Sequence, residues 1–303
     1  MRWRKHGLIY GPDARMPWAD HSALTPTPIL LGDVIRVFAG FRDREGISRI
    51  GFVDVSANDP SRVLEVSARP SLDIGRPGTF DDHGVILGDV IPVGHRWHMY
   101  YVGFQLVEGV KFLAFTGLAT ADSDARSFSR LQETPVLDRS DEGLFIRAIH
   151  TVRHEGDSWK AWYAAGRQWE WRSGQPYPAY DIRHLESRDG VTFAAAGSLC
   201  LAPQGDEYRI GRPRVSRSAG GYTMLFTKGT RAGGYDPGWA SSPDGRNWRR
   251  DDSQAGITMS ASGWDSQTLC YPTPLQAGAR SYLFYNGNDM GRAGFGFAEG
   301  VDD

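Results

Sequence analysis

The sequence predicts an all-β fold, a five-bladed β-propeller of four-stranded antiparallel blades, and three observations predict it. The first is a repeat of aromatic strands that end in small residues. The third residue of each copy recurs at steps of 63, 62, 63 and 59, at Ala39, Val102, Ala164, Thr227 and Asn286. A regular period of this size is typical of an array of equivalent units. Five such units in 303 residues leave no room for another sizeable domain, so we expect a single domain over residues 1–303.

The second observation is a turn rich in Asp, Ser and Gly that keeps the phase of the repeat. Its clear copies span residues 187–193 and 242–248, and both contain Asp-Gly, which is a hairpin signal between strands. The aromatic residue after the turn starts an outer strand. Each repeat is therefore predicted to be a four-stranded meander, the unit of a propeller. A β-sandwich or an open solenoid is the alternative, although a sandwich does not need five copies in phase.

The third observation concerns the two ends of the chain. The last repeat has strands predicted near residues 269–276, 281–286 and 293–298, and it lacks a fourth strand. The N-terminus offers a spare segment, residues 6–10, before the first inner strand. If this segment pairs with the last repeat, the ring closes and no sheet edge stays open.

The innermost strand of each repeat is placed by counting back from the aromatic strand. These strands are predicted at residues 22–31, 84–93, 146–153, 210–217 and 269–276. An acidic group precedes each of them: Asp20, then Asp81 and Asp82, then Asp141 and Glu142, then Asp206 and Glu207, then Asp265. If these acids converge at one opening, or mouth, of the central funnel, repulsion between close carboxylates raises the pKa of one and leaves that of another low. A general acid beside a base requires such a difference. The alternative is that each acid caps a turn or pairs with an arginine.

Other polar residues recur near the same mouth. The histidines are His21, His83 and His150, and the arginines are Arg147, Arg212 and Arg214. Three histidines could bind a metal, but no short ligand spacing supports one, so we expect hydrogen bonds and no metal or other cofactor. Arginines aimed at a pocket indicate a carboxylate or phosphate on the substrate, or else they neutralise the acids.

The ends of the aromatic strands and the loops add further candidates. Asp43 and Asn288 follow the first and last aromatic strands and could bind sugar hydroxyls or satisfy turn backbone. Trp18 and Trp264 come just before Asp20 and Asp265 and could stack on a sugar ring. Tyr271, at the start of the last inner strand, completes the predicted substrate-binding set.

Composition narrows the class of protein. The formal net charge of −2 argues against a nucleic-acid surface. No apolar run has membrane-spanning length, no apolar segment of a signal peptide follows the basic N-terminus, and two cysteines are too few for a disulfide framework. We therefore expect a cytoplasmic protein whose partner is a small molecule, a sugar or anionic metabolite, with no nucleic acid and no membrane. The oligomeric state stays open.

The chain resembles the five-bladed propeller glycoside hydrolases, the levansucrase, invertase, arabinanase and arabinofuranosidase group of families 32, 43, 62 and 68. The segments that carry the resemblance are residues 18–21, 80–85, 212–215, 242–248 and 264–265. They look most like glycosidase-like propellers of polysaccharide and secondary-metabolite gene clusters. The resemblance implies an acid in the first blade as base or nucleophile, an Asp in the third as stabiliser and a Glu in the fourth as general acid.

Asp20 and Glu207 match the first and last of these roles by repeat position. The third blade has Ile146-Arg147-Ala148 where the family has an inner-strand Asp, so Asp141 or Glu142 would have to substitute from the loop. We expect Asp20, Asp82 and Glu207 to form the catalytic set, pointing into one cavity within reach of Arg147 or Arg212. A non-hydrolytic enzyme for an anionic sugar or natural-product intermediate, and a non-catalytic carbohydrate-binding propeller, are the alternatives.

Overall fold

The computed structural model describes residues 1–301, and almost all of its regular structure is antiparallel β-sheet. The first group of strands is β2 to β5, and the second is β6 to β9. Their bounds are His21–Leu31, Val34–Arg42, Ser48–Ser56 and Val63–Val66 in the first group, and Val85–Val93, Arg96–Gln105, Leu113–Ala121 and Ser129–Arg130 in the second. In each group every strand pairs antiparallel with the next one along the chain.

The third and fourth groups repeat this order. Strands β10 to β13 span Ile146–Glu155, Ser158–Arg172, Gln175–Ser187 and Ser198–Leu201, and strands β14 to β17 span Glu207–Ser218, Gly221–Thr230, Tyr235–Ser242 and Arg249–Arg250. Short parallel pairings of β8 with β10 and of β12 with β14 join the second, third and fourth groups into one twelve-stranded sheet.

The last group combines both ends of the chain. Strands β18 to β20 span Cys270–Ala277, Arg280–Asn286 and Phe295–Val301, and β1 at the N-terminus spans Arg2–Tyr10. β1 pairs antiparallel with β20, from Arg2 opposite Val301 to Tyr10 opposite Phe295. The segment predicted from residues 6–10 is therefore a strand on the last group, and it begins four residues earlier than expected.

Within the described residues, helical structure is limited to two short pieces, a 3-10 turn at Asp252–Ala255 and a helical turn at Asn288–Gly291. No helix in residues 1–301 has the length and apolar character needed to cross a bilayer.

Hydrophobic clusters lie between successive groups. Phe38 and Phe52 of the first group pack with Leu87 and Tyr101 of the second. Comparable clusters join the second group to the third, the third to the fourth and the fourth to the last. A large apolar side chain contributes about 1.5–3 kcal/mol when it is fully buried, so these faces hold the groups side by side.

The last group also packs against the first. Val37 and Phe41 share a buried cluster with Phe284 and Phe297. Polar contacts cross the same boundary, since Asn286 accepts a hydrogen bond from the Thr25 backbone N–H at 2.8 Å and donates one to the Ala23 carbonyl at 2.8 Å.

Candidate functional site

The first strand of each group faces the first strands of its neighbours. β2 contacts β6, β6 contacts β10, β10 contacts β14, β14 contacts β18, and β18 contacts β2. We call these five the inner strands, and we call the end where they begin the mouth. The predicted inner strands agree with the observed ones to within three residues at each boundary.

Every inner strand has an irregularity in its pairing with the second strand of its group. The register of pairing shifts at Thr25, Gly88, His150, Arg212 and Tyr271 or at a residue beside them. Thr25, Arg212 and Tyr271 have φ angles of 55°, 52° and 58°, which is uncommon for residues other than glycine. A bulge of this kind redirects a side chain, and strained backbone of this kind clusters at functional sites.

Glycine is required at the equivalent position of β6. A Cβ atom on Gly88 would overlap the carbonyl oxygens of Ile149 and Tyr100. The second and third groups therefore approach each other backbone to backbone at this level.

Arg212 occupies the space between the inner strands. Its guanidinium donates to the Thr25 carbonyl at 3.0 Å, to Thr27 Oγ1 at 2.8 Å and to the Leu87 carbonyl at 2.5 Å. The residue is only 3% exposed, and burial together with the nearby Arg214 lowers the pKa of Arg212 to about 9. Its side chain thus forms the floor below the mouth, held by backbone and hydroxyl oxygens.

His150 completes this floor. Arg212 Nη1 donates to His150 Nδ1 at 3.5 Å, and burial, followed by the charges of Arg212 and Arg214, holds the pKa of His150 well below its usual value. The imidazole is therefore neutral at physiological pH, and it accepts a hydrogen bond from Arg212.

A cluster of one arginine and four tyrosines lies around the start of β14. The Arg209 guanidinium carbon is 4.7 Å from the ring centroids of Tyr208 and Tyr235 and 6.0 Å from that of Tyr180. Tyr235 and Tyr271 have ring centroids 6.0 Å apart. Burial raises the pKa of Tyr180, Tyr235 and Tyr271, so all three phenols stay protonated and can donate hydrogen bonds.

Tyr271 connects this cluster to the floor and to the first group. Its ring centroid is 5.9 Å from the Arg212 guanidinium carbon. Arg42, which pairs with His21 at the end of β3, lies near enough for the Tyr271 phenol to act on it electrostatically. Burial lowers the pKa of Arg42, and the electrostatic interaction with Tyr271 partly opposes that shift.

Asp20 and His21 lie at the mouth end of β2. Asp20 accepts a hydrogen bond from Arg44 Nε at 3.2 Å, and Arg44 is largely exposed, so this ion pair is weak. His21 Nδ1 and Ser22 Oγ are hydrogen-bonded at 2.8 Å.

Asp82 and His83 lie at the equivalent end of β6. His83 Nδ1 donates to Asp82 Oδ1 at 2.6 Å, and the Gly78 backbone N–H donates to Asp82 Oδ2 at 2.8 Å. Burial opposes ionisation of Asp82, but these two donors hold its pKa below the usual value. Asp82 is therefore an ionised carboxylate that orients an exposed imidazole.

Several of the other acids that precede the inner strands are bound by side chains of their own group of strands. Asp81 accepts hydrogen bonds from Tyr101 at 3.0 Å and from Arg130, on the outer strand β9, at 2.7 Å. Asp265 accepts them from Tyr285 at 3.1 Å and from Lys5, on the outer strand β1, at 2.6 Å. In both groups a buried carboxylate joins the second strand to the outer strand.

Glu142 has a similar environment in the third group. It accepts hydrogen bonds from the Tyr163 hydroxyl, from Arg147 at 2.9 Å and from Arg183 at 3.2 Å, and the Gly197 backbone N–H adds another at 2.9 Å. Arg147 also donates to the carbonyls of residues 138 and 194 at 2.8 and 3.1 Å. Both residues predicted to bind substrate thus have protein partners within their own group of strands.

Glu207 adopts the same arrangement in the fourth group. Arg250, on the outer strand β17, binds its two carboxylate oxygens at 2.5 and 2.8 Å, and the Arg250 guanidinium carbon lies 5.1 Å from the Phe226 ring centroid. The Gln204 backbone N–H adds a hydrogen bond of 2.9 Å. No contact links Glu207 to Asp20 or Asp82 among the hydrogen bonds and ion pairs of residues 1–301, so the expected convergence of these three side chains has no direct contact to support it.

The remaining predicted residues organise loops at the mouth. Asp43 accepts hydrogen bonds from Arg49 and from the backbone N–H groups of Glu45 and Ile47. Asn288 accepts from the backbone N–H groups of residues 267 and 268, and its own N–H donates to the Trp264 carbonyl at 2.8 Å. Trp264 stacks on Tyr285 with ring centroids 5.1 Å apart. These contacts match the expectation that Asp and Asn satisfy turn backbone.

The predicted set therefore separates into residues that contact one another and residues that do not. The contacts are Asp82 with His83, Glu142 with Arg147, His150 with Arg212, and Arg212 with Tyr271. Five residues of the site were not predicted from the sequence: Arg42, Tyr180, Tyr208, Arg209 and Tyr235. Arg209 could have been found, because this residue lies on an inner strand three positions before Arg212.

The part of the chain that the structure covers contains no group of three His, Cys, Asp or Glu side chains placed to hold a metal ion. His21, His83 and His150 instead have the separate hydrogen-bond partners given above.

Two relatives match over almost the whole chain. "Uncharacterized protein Rv1502" of Mycobacterium tuberculosis (strain ATCC 25618 / H37Rv) is 32% identical over 300 residues, which are 98% of this chain and 99% of the relative. "Uncharacterized protein MT1551" of strain CDC 1551 / Oshkosh has the same identity and coverage. No protein-family model matches the chain.

Solved structures with the same fold include several glycoside hydrolases. A BT0996 RGII complex has a TM-score of 0.77 at 18% identity and covers 99% of this chain and 92% of its own. A structure from the GH130 family of mannoside phosphorylases, which contains glycoside hydrolases that target β-1,2 mannosidic linkages in Candida mannan, has a TM-score of 0.73 at 12% identity, with coverage of 98% and 93%. A thermostable family-43 glycoside hydrolase has a TM-score of 0.70 at 14% identity, with coverage of 93% and 90%. These likenesses show that the chain has the propeller-like fold of such enzymes.

Proposed function

This chain belongs to the same family as the Mycobacterium tuberculosis protein Rv1502, and we propose that it is a glycoside hydrolase-like enzyme that acts on a sugar or glycosylated metabolite at the mouth. The observation that carries the proposal is the pair of carboxylates Asp20 and Asp82, which lie at the mouth ends of the neighbouring strands β2 and β6. The likeness to solved glycoside hydrolases supports it as an analogy of fold.

The proposal includes the architecture around this pair. We propose that the groups of strands are five blades of one closed propeller domain. The pairing of β1 with β20, the shared cluster of Phe41 and Phe297, and the bonds from Asn286 to the first group support closure. The successive contacts of the five inner strands support a ring around a central axis.

The contacts at the mouth suggest a division of roles. Asp20 would act as base or nucleophile, since within residues 1–301 its carboxylate pairs with one exposed arginine, Arg44. Asp82, whose pKa is lowered, would remain ionised and stabilise positive charge that develops on the sugar. His83, bound to Asp82 through Nδ1, has Nε2 for proton transfer to the leaving group.

Glu207 is a poor candidate for the general acid that the resemblance implied. Both of its carboxylate oxygens bind Arg250, so neither is free to protonate a leaving group. Glu142 is also bound at both carboxylate oxygens, by Arg147 and Arg183, and Asp265 Oδ2 accepts hydrogen bonds from Lys5 and Tyr285. We propose structural roles for all three acids.

A screen of aryl glycosides and oligosaccharides for hydrolysis tests the function. The wild-type protein should release product from at least one sugar class, and Asp20→Asn and Asp82→Asn should each lower turnover by roughly 10²–10⁴-fold. Asp59→Asn is the matched control, because Asp59 lies in an exposed turn and its carboxylate accepts hydrogen bonds from the neighbouring Ser61. Absence of hydrolysis across the screen, or equal activity in all three variants, would refute the proposal.

A further inference from the structure

Two arginines at the mouth lack the carboxylate partners that other arginines of this protein have. Within residues 1–301, no aspartate or glutamate lies within ion-pair distance of Arg42 or Arg209, whereas Arg147, Arg183, Arg214 and Arg250 each bind at least one. The Nε atoms of Arg42 and Arg209 are also buried without a hydrogen-bond partner. Both side chains are half-buried, and a guanidinium that is partly shielded from water without a counter-ion is destabilising unless a ligand supplies the negative charge.

The surroundings of the two arginines are built from different parts of the chain. Arg42 ends β3, Arg209 lies on β14, Tyr180 on β12, Tyr235 on β16 and Tyr271 on β18. Side chains from the third, fourth and last groups therefore meet at one place, close to the floor formed by Arg212. Arg42 of the first group interacts electrostatically with Tyr271 of this cluster. Arg209 and Tyr271 lie near the starts of the inner strands β14 and β18, which places the cluster at the mouth.

The cluster presents donors rather than acceptors. The guanidinium groups carry only N–H donors, and the buried phenols stay protonated because burial raises their pKa values. Arg209 lies against the faces of Tyr208 and Tyr235, which orients its planar N–H edge away from those rings. Fixed guanidinium and phenol donors fit the oxygens of a carboxylate or phosphate.

We propose that Arg42 and Arg209, with Tyr180, Tyr235 and Tyr271, form an oxyanion-binding site at the centre of the mouth. The proposal rests on the proposed function in one respect, because it takes the oxyanion to be a carboxylate or phosphate substituent of the sugar on which the enzyme acts. Free inorganic phosphate is the other ligand that offers the same oxygen atoms. Arg147 and Arg212, the arginines that the sequence suggested for an anionic substrate, have other partners.

Calorimetric titration with matched sugars tests the site. The probes are methyl glucuronide and methyl galacturonide, the corresponding methyl glucoside and galactoside, and inorganic phosphate. We expect at least one acidic probe to bind the wild-type protein more tightly than its neutral partner, and raised salt to weaken only the acidic probe. Arg42→Gln should lower the affinity of the protein for the acidic probe by roughly ten- to a hundredfold, because the variant loses a charged hydrogen bond. Its effect on the affinity for neutral sugars should be far smaller.

Two further variants separate binding from folding. Arg209→Lys keeps the positive charge among the tyrosines but loses the planar guanidinium group with its paired N–H donors. The variant should therefore bind the acidic probe more weakly and have a nearly unchanged thermal midpoint. Arg126→Gln is the control, since Arg126 pairs with Glu65 on the outer strand β5. It should leave every affinity unchanged.

The outcomes distinguish this inference from the proposed function. Binding of phosphate that depends on Arg42 and Arg209, without hydrolysis of any glycoside, would keep the oxyanion site and reject the hydrolase. Hydrolysis of neutral glycosides that is unaffected by the arginine variants would keep the hydrolase and overturn the site. Failure of all acidic probes and of phosphate to bind the wild-type protein at tens of millimolar would also overturn the site.

Discussion

The hydroxyl of Tyr282 donates a hydrogen bond to the carbonyl of Ala57 at 3.1 Å and so joins the last group of strands to the first. The second and third groups are joined in the same way, since the Tyr100 hydroxyl donates to the Gly190 carbonyl at 2.8 Å. In both cases a tyrosine of the second strand reaches a loop that precedes the outer strand of the next group.

Because the two hydrogen bonds are equivalent, removal of either tyrosine hydroxyl should have the same effect on stability. Tyr282→Phe and Tyr100→Phe should each destabilise the protein by about 1 kcal/mol, because each leaves a carbonyl without its partner. The thermal midpoint should then fall by roughly 2–4 °C in both variants. Calorimetric melts would check this, and a change confined to Tyr100→Phe would argue that the ring is open between the last and first groups.

Deletion of residues 1–10 should have a much larger effect. It removes β1, unpairs the edge of β20 and takes Lys5 from the buried carboxylate of Asp265. Loss of one partner of a buried ion pair alone costs roughly 3–5 kcal/mol. We expect a fall of more than about 10 °C in the thermal midpoint, and an unchanged midpoint would contradict the role of β1.

Glu207→Gln tests whether Glu207 is structural. The variant breaks an ion pair whose side chains are about one-tenth exposed, and it should destabilise by roughly 3 kcal/mol while turnover measured well below the midpoint stays near that of the wild type. Glu133→Gln is the matched control, because it breaks an exposed bidentate pair with Arg76 and should change stability by less than about 1 kcal/mol. Loss of turnover in a Glu207→Gln protein of normal stability would restore it as a catalytic acid.

His83→Gln tests proton donation at the mouth. Glycosides with poor leaving groups need protonation of the departing oxygen, whereas activated aryl glycosides need little of it. The variant should therefore lower turnover of natural glycosides by roughly 10²-fold or more and that of activated ones far less. Equal losses for both substrate types would assign His83 to substrate binding alone.

The carboxylate of Glu155 predicts part of the acid sensitivity. Its burial opposes ionisation, but hydrogen bonds from Tyr222, Arg153 and Lys160 lower its pKa to about 2. A carboxylate with a lowered folded pKa stabilises the protein above its unfolded pKa of about 4.3, and this contribution is lost as the pH falls towards 2. The difference in midpoint between wild type and Glu155→Gln should be large at neutral pH and shrink below about pH 4. A difference independent of pH would contradict the assignment.

The strand pattern could be predicted from the sequence because it depends on periodicity. The step from Ala39 to Val102 and its later copies set the phase of the second strands, and counting back located the inner strands. The N-terminal strand followed from the missing partner of the last repeat, and the structure places it on β20.

The direction of the side chains could not be predicted in the same way. Phase placed Glu207 at the mouth end of β14, but only the pairing of β16 with β17 shows that Arg250 reaches it from the outer strand. A shift of register between Gly211 and Arg214 then changes which side chains face the axis. Arg212 therefore lies in the floor, and Arg209, which was not predicted as a site residue, joins the tyrosines.

The floor formed by Arg212 also limits the route of a ligand. Its bonds to Thr25 and Leu87 span from the fourth group to the first and second, so in the proposed ring the axis is blocked below the mouth. In the proposed enzyme, substrate would then enter and product would leave through the same opening. A polysaccharide could not thread through the molecule, which favours attack at the end of a chain or on a small glycoside.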